Sequence, residues 1–352
     1  DIDIAKHINK IRKKYRFPTD VTLWDSKNTT SRNIKISEAL EDKSGYIAIQ
    51  STDLSVLKKS GRGNIKFDGL KQRLLDYKGK SKETQTDILI GLAGETSKSH
   101  MKTLYDSFDL GFDMIQPYNI RLLPGTDYES EEQRRLYKIK TKFRLIFGSY
   151  GIYNNKLVFE IEESVRSTKD MSENELESFK ILHWLIYFCW NIGIFKPLLK
   201  YANIELNINP MDVLLHVLET KKNKLRELFS SMKNESTSEW FGTKKDLIAY
   251  YEDARNRNKL KEFKKLNAWW IAKLYSDNDL LNILYDDIVL CIENHSVKKY
   301  SNDVVWDELK NINSKLLSFG DLSKSEQSPI ISVHGKTIYY LNGDSRYVDK
   351  LN

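Results

Sequence analysis

Residues 86–99 read TDILIGLAGETSKS, and the fold turns on how they are interpreted. TDILIGL (86–92) is a nearly continuous apolar run with polar flanks, the pattern of a buried strand. Gly91 and Gly94 follow, then Glu95 and Thr96, and a helical pattern opens at 97 behind a Thr96 or Ser97 cap. A strand, a glycine turn and a helix make one βα unit. Glycines at the carboxyl end of a parallel strand let a ligand approach the backbone, and α/β barrels place their sites at that end. A tight turn with a capping threonine accounts for the same residues without a ligand.

The alternation continues on both sides. Ile4, Ile8 and Ile11 fall at helical spacing within 4–15, Pro18 ends that pattern, and DVTLW (20–24) reads as a short strand. Residues 31–42 are helical, Gly45 stops them, and YIAIQ (46–50) is a second strand. A basic helical region covers 53–78, the helix after Thr96 covers 97–110, and the last strand lies in 113–123. This α-β-α-β-α-β-α-β order predicts an α/β fold with four parallel strands and right-handed crossovers. Strand 20–25 is expected at one edge and 113–123 at the other, with Gln50, Gly91 and Pro124 on one rim. Four parallel strands do not close a barrel. The pattern therefore fits either a small open sheet or the second half of a barrel.

Composition narrows the classes. The 352 residues are 40% hydrophobic and 11% aromatic, which excludes a disordered polymer, and 16 glycines exclude a collagen. Two cysteines, Cys189 and Cys291, cannot form a disulfide framework, so a reducing cytoplasmic setting is the default. The longest apolar stretch, 181–195, is broken by His183, Asn191 and Gly193, short of the ~20 residues of a bilayer span. The acidic start, Asp1-Ile2-Asp3, gives no sign of a signal peptide. A net charge of +7 mildly favours an anionic partner.

After Pro124-Gly125 the character changes. Residues 129–147 read as a basic helix with Arg134, Arg135, Lys138, Lys140, Lys142 and Arg144, which makes nucleic acid a partner to consider. A nearly apolar helix spans 173–195, and from about 203 the chain is Lys/Glu-rich and helical, with Trp240, Trp269 and Trp270 as anchors. SPIISVHGKTIYYLNG (328–343) reads as a β-hairpin around His334-Gly335. Among polar clusters, Glu160, Glu162, Glu163 and Arg166 read as a solvated surface group, and His183 as a core histidine. Cys291 and His295 have metal-compatible spacing but are only two ligands.

Five motifs in order carry a resemblance: Phe17-Pro18, TLWDSKN (22–28), AIQSTDLSVLKKSGRGNI (48–65), DILIGLAGETSKS (87–99) and RLLPGTDY (121–128). Together they resemble the second half of the radical S-adenosylmethionine (SAM) core. GSYGIYNNKLVFEIE followed by ESVRSTKDMSENE (163–175) resembles what comes after that core in the cobalamin-binding branch. The resemblance implies the second half of a (β/α)6 partial TIM barrel over 1–128, a post-core α-rich subdomain over 129–205 and a helical extension over 206–352. It implies reductive cleavage of SAM at a [4Fe–4S] cluster, with flavodoxin or ferredoxin as reductant, and cobalamin as a further cofactor. Family members hold the cluster in a C-x3-C-x2-C loop, and no such triplet occurs among these residues. The expectation is a chain inactive alone whose cluster loop lies upstream. A second reading keeps the scaffold as a non-catalytic or nucleic-acid-binding module.

By position, Gln50 and Ser51 match the segment that contacts the SAM ribose in the family. Gly91, Gly94 and Glu95 match the motif beside the adenine and methionine moieties, with Ala93 standing where proline is usual. Leu123, Pro124 and Gly125 match the strand end near the adenine, and Arg62 is placed to pair with the SAM carboxylate. Ser26, Lys27 and Asn28 would face the substrate or the amino-acid portion of SAM. The substrate itself is left open.

Overall fold

The computed structural model describes residues 1–19, 21, 23, 31–42, 44–62, 67–79, 82–154, 156–262, 265–275 and 277–295, with short pieces between 306 and 311 and between 330 and 349. The chain packs as two compact units, Asp1–Tyr118 and Asn119–Asn352.

The first unit is α/β. Helices α1 (Ile2–Tyr15), α2 (Ser31–Ala39), α3 (Leu54–Lys59), α4 (Phe67–Gly79) and α5 (Ser97–Asp109) alternate with strands β1 (Ser44–Tyr46), β2 (Glu83–Ile90) and β3 (Met114–Asn119). The strands form a parallel sheet in the order β1-β2-β3. Among the described residues the sheet has three of the four strands expected. The stretch read as the first, 20–24, falls mostly outside the described residues, and Val21 and Leu23 have no regular structure. The ladder between YIAIQ and β2 is interrupted because the Thr86 hydroxyl, rather than a carbonyl, takes the Ile49 amide at 3.2 Å. The basic region 53–78 is two helices, separated after Ser60 by Gly61 at φ +66°.

Burial alternates along the sheet. Ile47, Ile49, Ile88, Ile90 and Ile115 are at most 1% exposed, whereas Tyr46, Ala48, Gln85, Asp87, Leu89 and Gln116 between them are half-buried. A parallel sheet is normally apolar on both faces. Here the second face is largely polar.

The second unit opens with a short antiparallel pairing of 120–122 on β5 (Lys156–Ser167): Leu122 N–H donates to the Glu163 carbonyl at 2.9 Å, and Val165 N–H to that of Ile120 at 2.9 Å. The run read as one strand over 113–123 thus ends its parallel pairing at Asn119. The expected basic helix 129–147 is corrected. It is a six-residue helix, α6 (Glu131–Leu136), followed by β4 (Lys140–Tyr153), which pairs antiparallel with β5. Lys140, Lys142 and Arg144 sit at intervals of two, a strand period that a count of basic residues hides.

Helix α7 (Glu173–Leu185), opened by a Ser172–Glu175 capping box, runs into a π-helical turn, Ile186–Asn191. The helices α8 (Lys196–Leu206), α9 (Pro210–Leu218), α10 (Asn223–Ser238), α11 (Lys244–Glu252), α12 (Asn258–Glu262), α13 (Leu266–Tyr275) and α14 (Asn278–His295) follow. Their core is aromatic: Trp184 stacks on Phe188 at 5.3 Å, and Phe188 meets Phe195 and Tyr275 edge-on. Among the described residues no single helix is long and apolar enough to cross a membrane. The expected hairpin at 328–343 is part of a three-stranded antiparallel meander, β6 (Ile330–Val333), β7 (Lys336–Leu341) and β8 (Asp344–Asp349).

Candidate functional site

The carboxyl edge of the sheet is built around Glu95. Gly91 at φ +96° and Gly94 at φ +79° fold the chain back between β2 and α5. This brings the Glu95 carboxylate under its own turn. One oxygen accepts the N–H groups of Gly91 at 2.8 Å and Leu92 at 3.2 Å, and the other meets His100 Nδ1 at 2.9 Å. Both Glu95 and His100 are wholly buried. Thr96 and Ser99 then form a capping box that starts α5. The side chain of Lys59 lies against Gly94, where a Cβ would come within 2.4 Å of its Cδ.

The neighbouring strand end is Gln50, at φ +65°. Its N–H donates to the Asp87 carbonyl at 2.8 Å and its carbonyl accepts from Leu89 N–H at 2.9 Å, so it sits beside the last turn of the β2 ladder. Its side-chain oxygen accepts Arg62 Nη1 at 2.5 Å. Both side chains are half-buried. Ser51 turns inward: it is wholly buried, lies 3.3 Å from the Thr103 hydroxyl of α5 and accepts Asp53 N–H at 3.1 Å. Gln50, Arg62, Gly91, Gly94 and Glu95 therefore lie around the carboxyl ends of two adjacent parallel strands. Within that group Gln50 and Arg62 present polar atoms, whereas Ser51 and Glu95 hold the turns that present them. On the outer side of α5, Thr52, Lys71, Lys102, Asp106 and Asp109 line an open polar pocket of about 330 Å³.

Leu123, Pro124 and Gly125 belong to the second unit. Leu123 is 59% exposed, and Gly125 at φ +82° closes a turn in which Thr126 N–H and hydroxyl both reach the Leu123 carbonyl. Ser26, Lys27 and Asn28 lie outside the described residues.

Of the polar cluster on β5, Glu160 is exposed as expected, but Glu162 and Arg166 are not solvated surface groups. Glu162 is 6% and Arg166 1% exposed. Glu162 is held by Arg121 at 2.7 Å and by Arg144, which also reaches Glu239 at 3.0 Å. Arg166 pairs with Glu177 and, at 3.1 Å, with Glu173, which binds Lys142 at 2.8 Å. The Trp240 ring meets Arg144 and Arg166, each 4.7 Å from its centroid, and Lys180 at 5.8 Å. Burial, then the nearby Arg166, lowers the Lys180 ammonium to about 8, and burial raises the Glu239 carboxyl. Glu163 binds Arg134 at 2.6 Å. Three members of the basic run, Arg134, Lys142 and Arg144, are thus matched by carboxylates of the same unit.

The remaining candidates stay apart. His183 is half-buried and stacks on Phe179 at 5.8 Å. Cys291 Sγ is 3.6 Å from His295 Nδ1, and no group of three or more metal-ligating side chains occurs among the described residues. Sequence reasoning missed His100, which lies one helical turn into α5 and carried no motif. It also missed the polar half of the sheet, because Gln85 and Asp87 are embedded in a run that reads as strand on its isoleucines.

Comparison with known proteins adds the chemistry. The chain is 25% identical, over 40% of its length, to the cobalamin-dependent radical SAM methyltransferase TokK of Streptomyces tokunonensis. A second relative, 2-(S-pantetheinyl)-carbapenam-3-carboxylate methyltransferase of Streptantibioticus cattleyicolor, is 25% identical over 50% of the chain. Both of these distant relatives are methyltransferases. The chain spans about a quarter of each relative, 21% and 26% of their lengths. No protein-family profile matches it.

Two tests of fit bear on the cofactors that such relatives imply. At the strand ends, a half-buried amide and guanidinium beside a glycine turn form a donor and acceptor set suited to a ribose hydroxyl and a carboxylate, so these residues fit SAM. A thiolate-bound cluster does not fit the residues present. Cys189 is 0% and Cys291 1% exposed. Burial pushes the Cys189 thiol up and that of Cys291 up to about 11, so neither offers a thiolate at neutral pH.

Proposed function

We propose that this chain contributes the nucleoside side of a SAM pocket to a radical SAM enzyme of the cobalamin-dependent kind, the [4Fe–4S] cluster being held by cysteines outside these 352 residues. The observation that carries the reading is the grouping of Gln50, Arg62 and the Gly91–Glu95 turn at the carboxyl ends of adjacent parallel strands. The two methyltransferase relatives support it, and methyl transfer is the reaction assigned by analogy with them. When bound, SAM would supply the methyl group and the adenosyl radical precursor.

In this reading Gln50 orients the ribose and Arg62 pairs with the carboxylate of the amino-acid portion. Glu95 and Ser51 do not touch the ligand. Glu95 holds the Gly91 and Leu92 amides, and Ser51 ties the strand end to α5, so that the two turns keep their spacing. Gly91 and Gly94 give the turn its positive-φ backbone, and the Lys59 side chain, which lies against Gly94, borders the adenine side. Leu123, Pro124 and Gly125 remain assigned to the adenine side by resemblance.

Calorimetric titration of the chain with S-adenosylhomocysteine tests this directly. Weak saturable binding in the millimolar range, about −4 kcal/mol, is expected. Arg62→Ala and Gln50→Ala should each weaken it several-fold. After anaerobic treatment with iron and sulfide the chain alone should yield no 5′-deoxyadenosine, and a polypeptide extended to include a cysteine triplet should. Binding unaffected by both substitutions would overturn the assignment.

A further inference from the structure

The polar face of the β1–β3 sheet holds one group that the assignment above leaves unused. Asp87 lies in the middle of the apolar run of β2, on the half-buried face with Tyr46, Gln85, Leu89 and Gln116. The Tyr46 hydroxyl donates to its Oδ2. Its Oδ1 is buried and has no hydrogen-bond partner among the described residues. Leaving a buried acceptor unmatched is costly, more so for a charged one, so such atoms are uncommon and point to a missing partner. Asp87 is the half-buried acidic side chain on this face of β2; Glu83, at the start of the strand on the same face, is exposed.

Resting on the SAM reading of the adjoining strand ends, we propose that Asp87 Oδ1 is the acceptor for an N–H or O–H donor of a ligand lying on this face, with Tyr46 fixing the carboxylate. The chemistry follows from the inventory. A carboxylate is an acceptor only, and one oxygen is already engaged by a neutral phenol. The other is best matched by a hydroxyl, an amide or, most strongly, an ammonium. Burial raises the Asp87 carboxyl, which the Tyr46 hydrogen bond only partly offsets, and burial raises the Tyr46 phenol, helped by the neighbouring carboxylate. Such a donor has two sources, the SAM molecule itself or the second substrate.

Three probes separate these sources: 5′-methylthioadenosine, which has ribose hydroxyls and no amine; S-adenosylhomocysteine, which adds an ammonium; and pantetheine, which has hydroxyl and amide donors and no nucleoside. Each is titrated into the chain and its Asp87→Asn, Asp87→Ala and Tyr46→Phe variants, with folding checked by circular dichroism. Asp87→Ala should weaken at least one probe about tenfold. Asp87→Asn should weaken an ammonium probe as much and a neutral one less. Loss confined to S-adenosylhomocysteine identifies the ammonium, equal loss for both nucleosides identifies the ribose, and loss for pantetheine identifies the second substrate. If every probe that binds does so within twofold in both Asp87 variants, while Arg62→Ala weakens the nucleosides, the Asp87 proposal is wrong and the SAM reading survives. If no nucleoside binds the unaltered chain, both fall.

Discussion

The Gly91–Glu95 turn and the β4–β5 charge network bury ionisable side chains in opposite ways. Glu95 is surrounded by its own backbone: two amides within four residues and one histidine five residues on. Arg166 depends on carboxylates seven and eleven residues away and on Trp240. The first arrangement is local and shapes a turn. The second ties β5 to α7 and to the residues after α10, so it holds elements together. Damage to the first should therefore register mainly in ligand binding, and damage to the second mainly in folding.

The largest effect expected is from Arg166→Met. It leaves Glu177 with a buried charge and no arginine, a class of change that costs about 3–5 kcal/mol, and urea denaturation should show the unfolding free energy reduced by that amount. A variant as stable as the unaltered chain would show that the network contributes nothing to cohesion. Glu95→Ala should come next. It strands two backbone donors for about 2–4 kcal/mol, and it should also abolish S-adenosylhomocysteine binding, which Arg166→Met should spare in the molecules that remain folded. Equal behaviour of the two variants in both assays would erase the contrast. Gly94→Ala should cost about 1–2 kcal/mol, because the residue sits at φ +79° and only the flexible end of Lys59 must give way.

The smallest effect concerns pH. Lys180 has its folded pKa lowered to about 8 from an ordinary 10.5. Between those values the unfolded chain binds more protons than the folded one, so this lysine's contribution to stability improves as pH rises through that window. The stability difference between the unaltered chain and Lys180→Gln should therefore move in favour of the lysine from pH 8 to pH 10.5. A difference independent of pH would mean that Lys180 is better solvated than its position beside Arg166 and Trp240 indicates.

The turn was legible in advance and the network was not. Strand, glycines and capping threonine are written in consecutive residues, so Gly91, Gly94 and Thr96 announced the local geometry. The exposure of Ser51 and Glu95 was not written there, because it depends on Thr103 and His100 in the following helix. The network draws on residues from 121 to 240, and nothing local marks Arg166 as buried. The basic run failed as a helix because its second half alternates, with Thr141 and Phe143 set between Lys140, Lys142 and Arg144. Length misled as well: α6 ends after six residues and a strand of fourteen takes over.

Glu95 also bears on what the glycine turn refuses. A strand end with two backbone N–H groups directed at one point is a ready receptor for phosphate. In this protein that receptor is occupied by a tethered carboxylate, whose effective concentration at the amides, typical of short tethers, is in the millimolar range or above. A nucleotide phosphate arriving from solution would have to displace it and break the buried Glu95–His100 contact. The turn is thereby self-inhibited toward phosphate groups at this position.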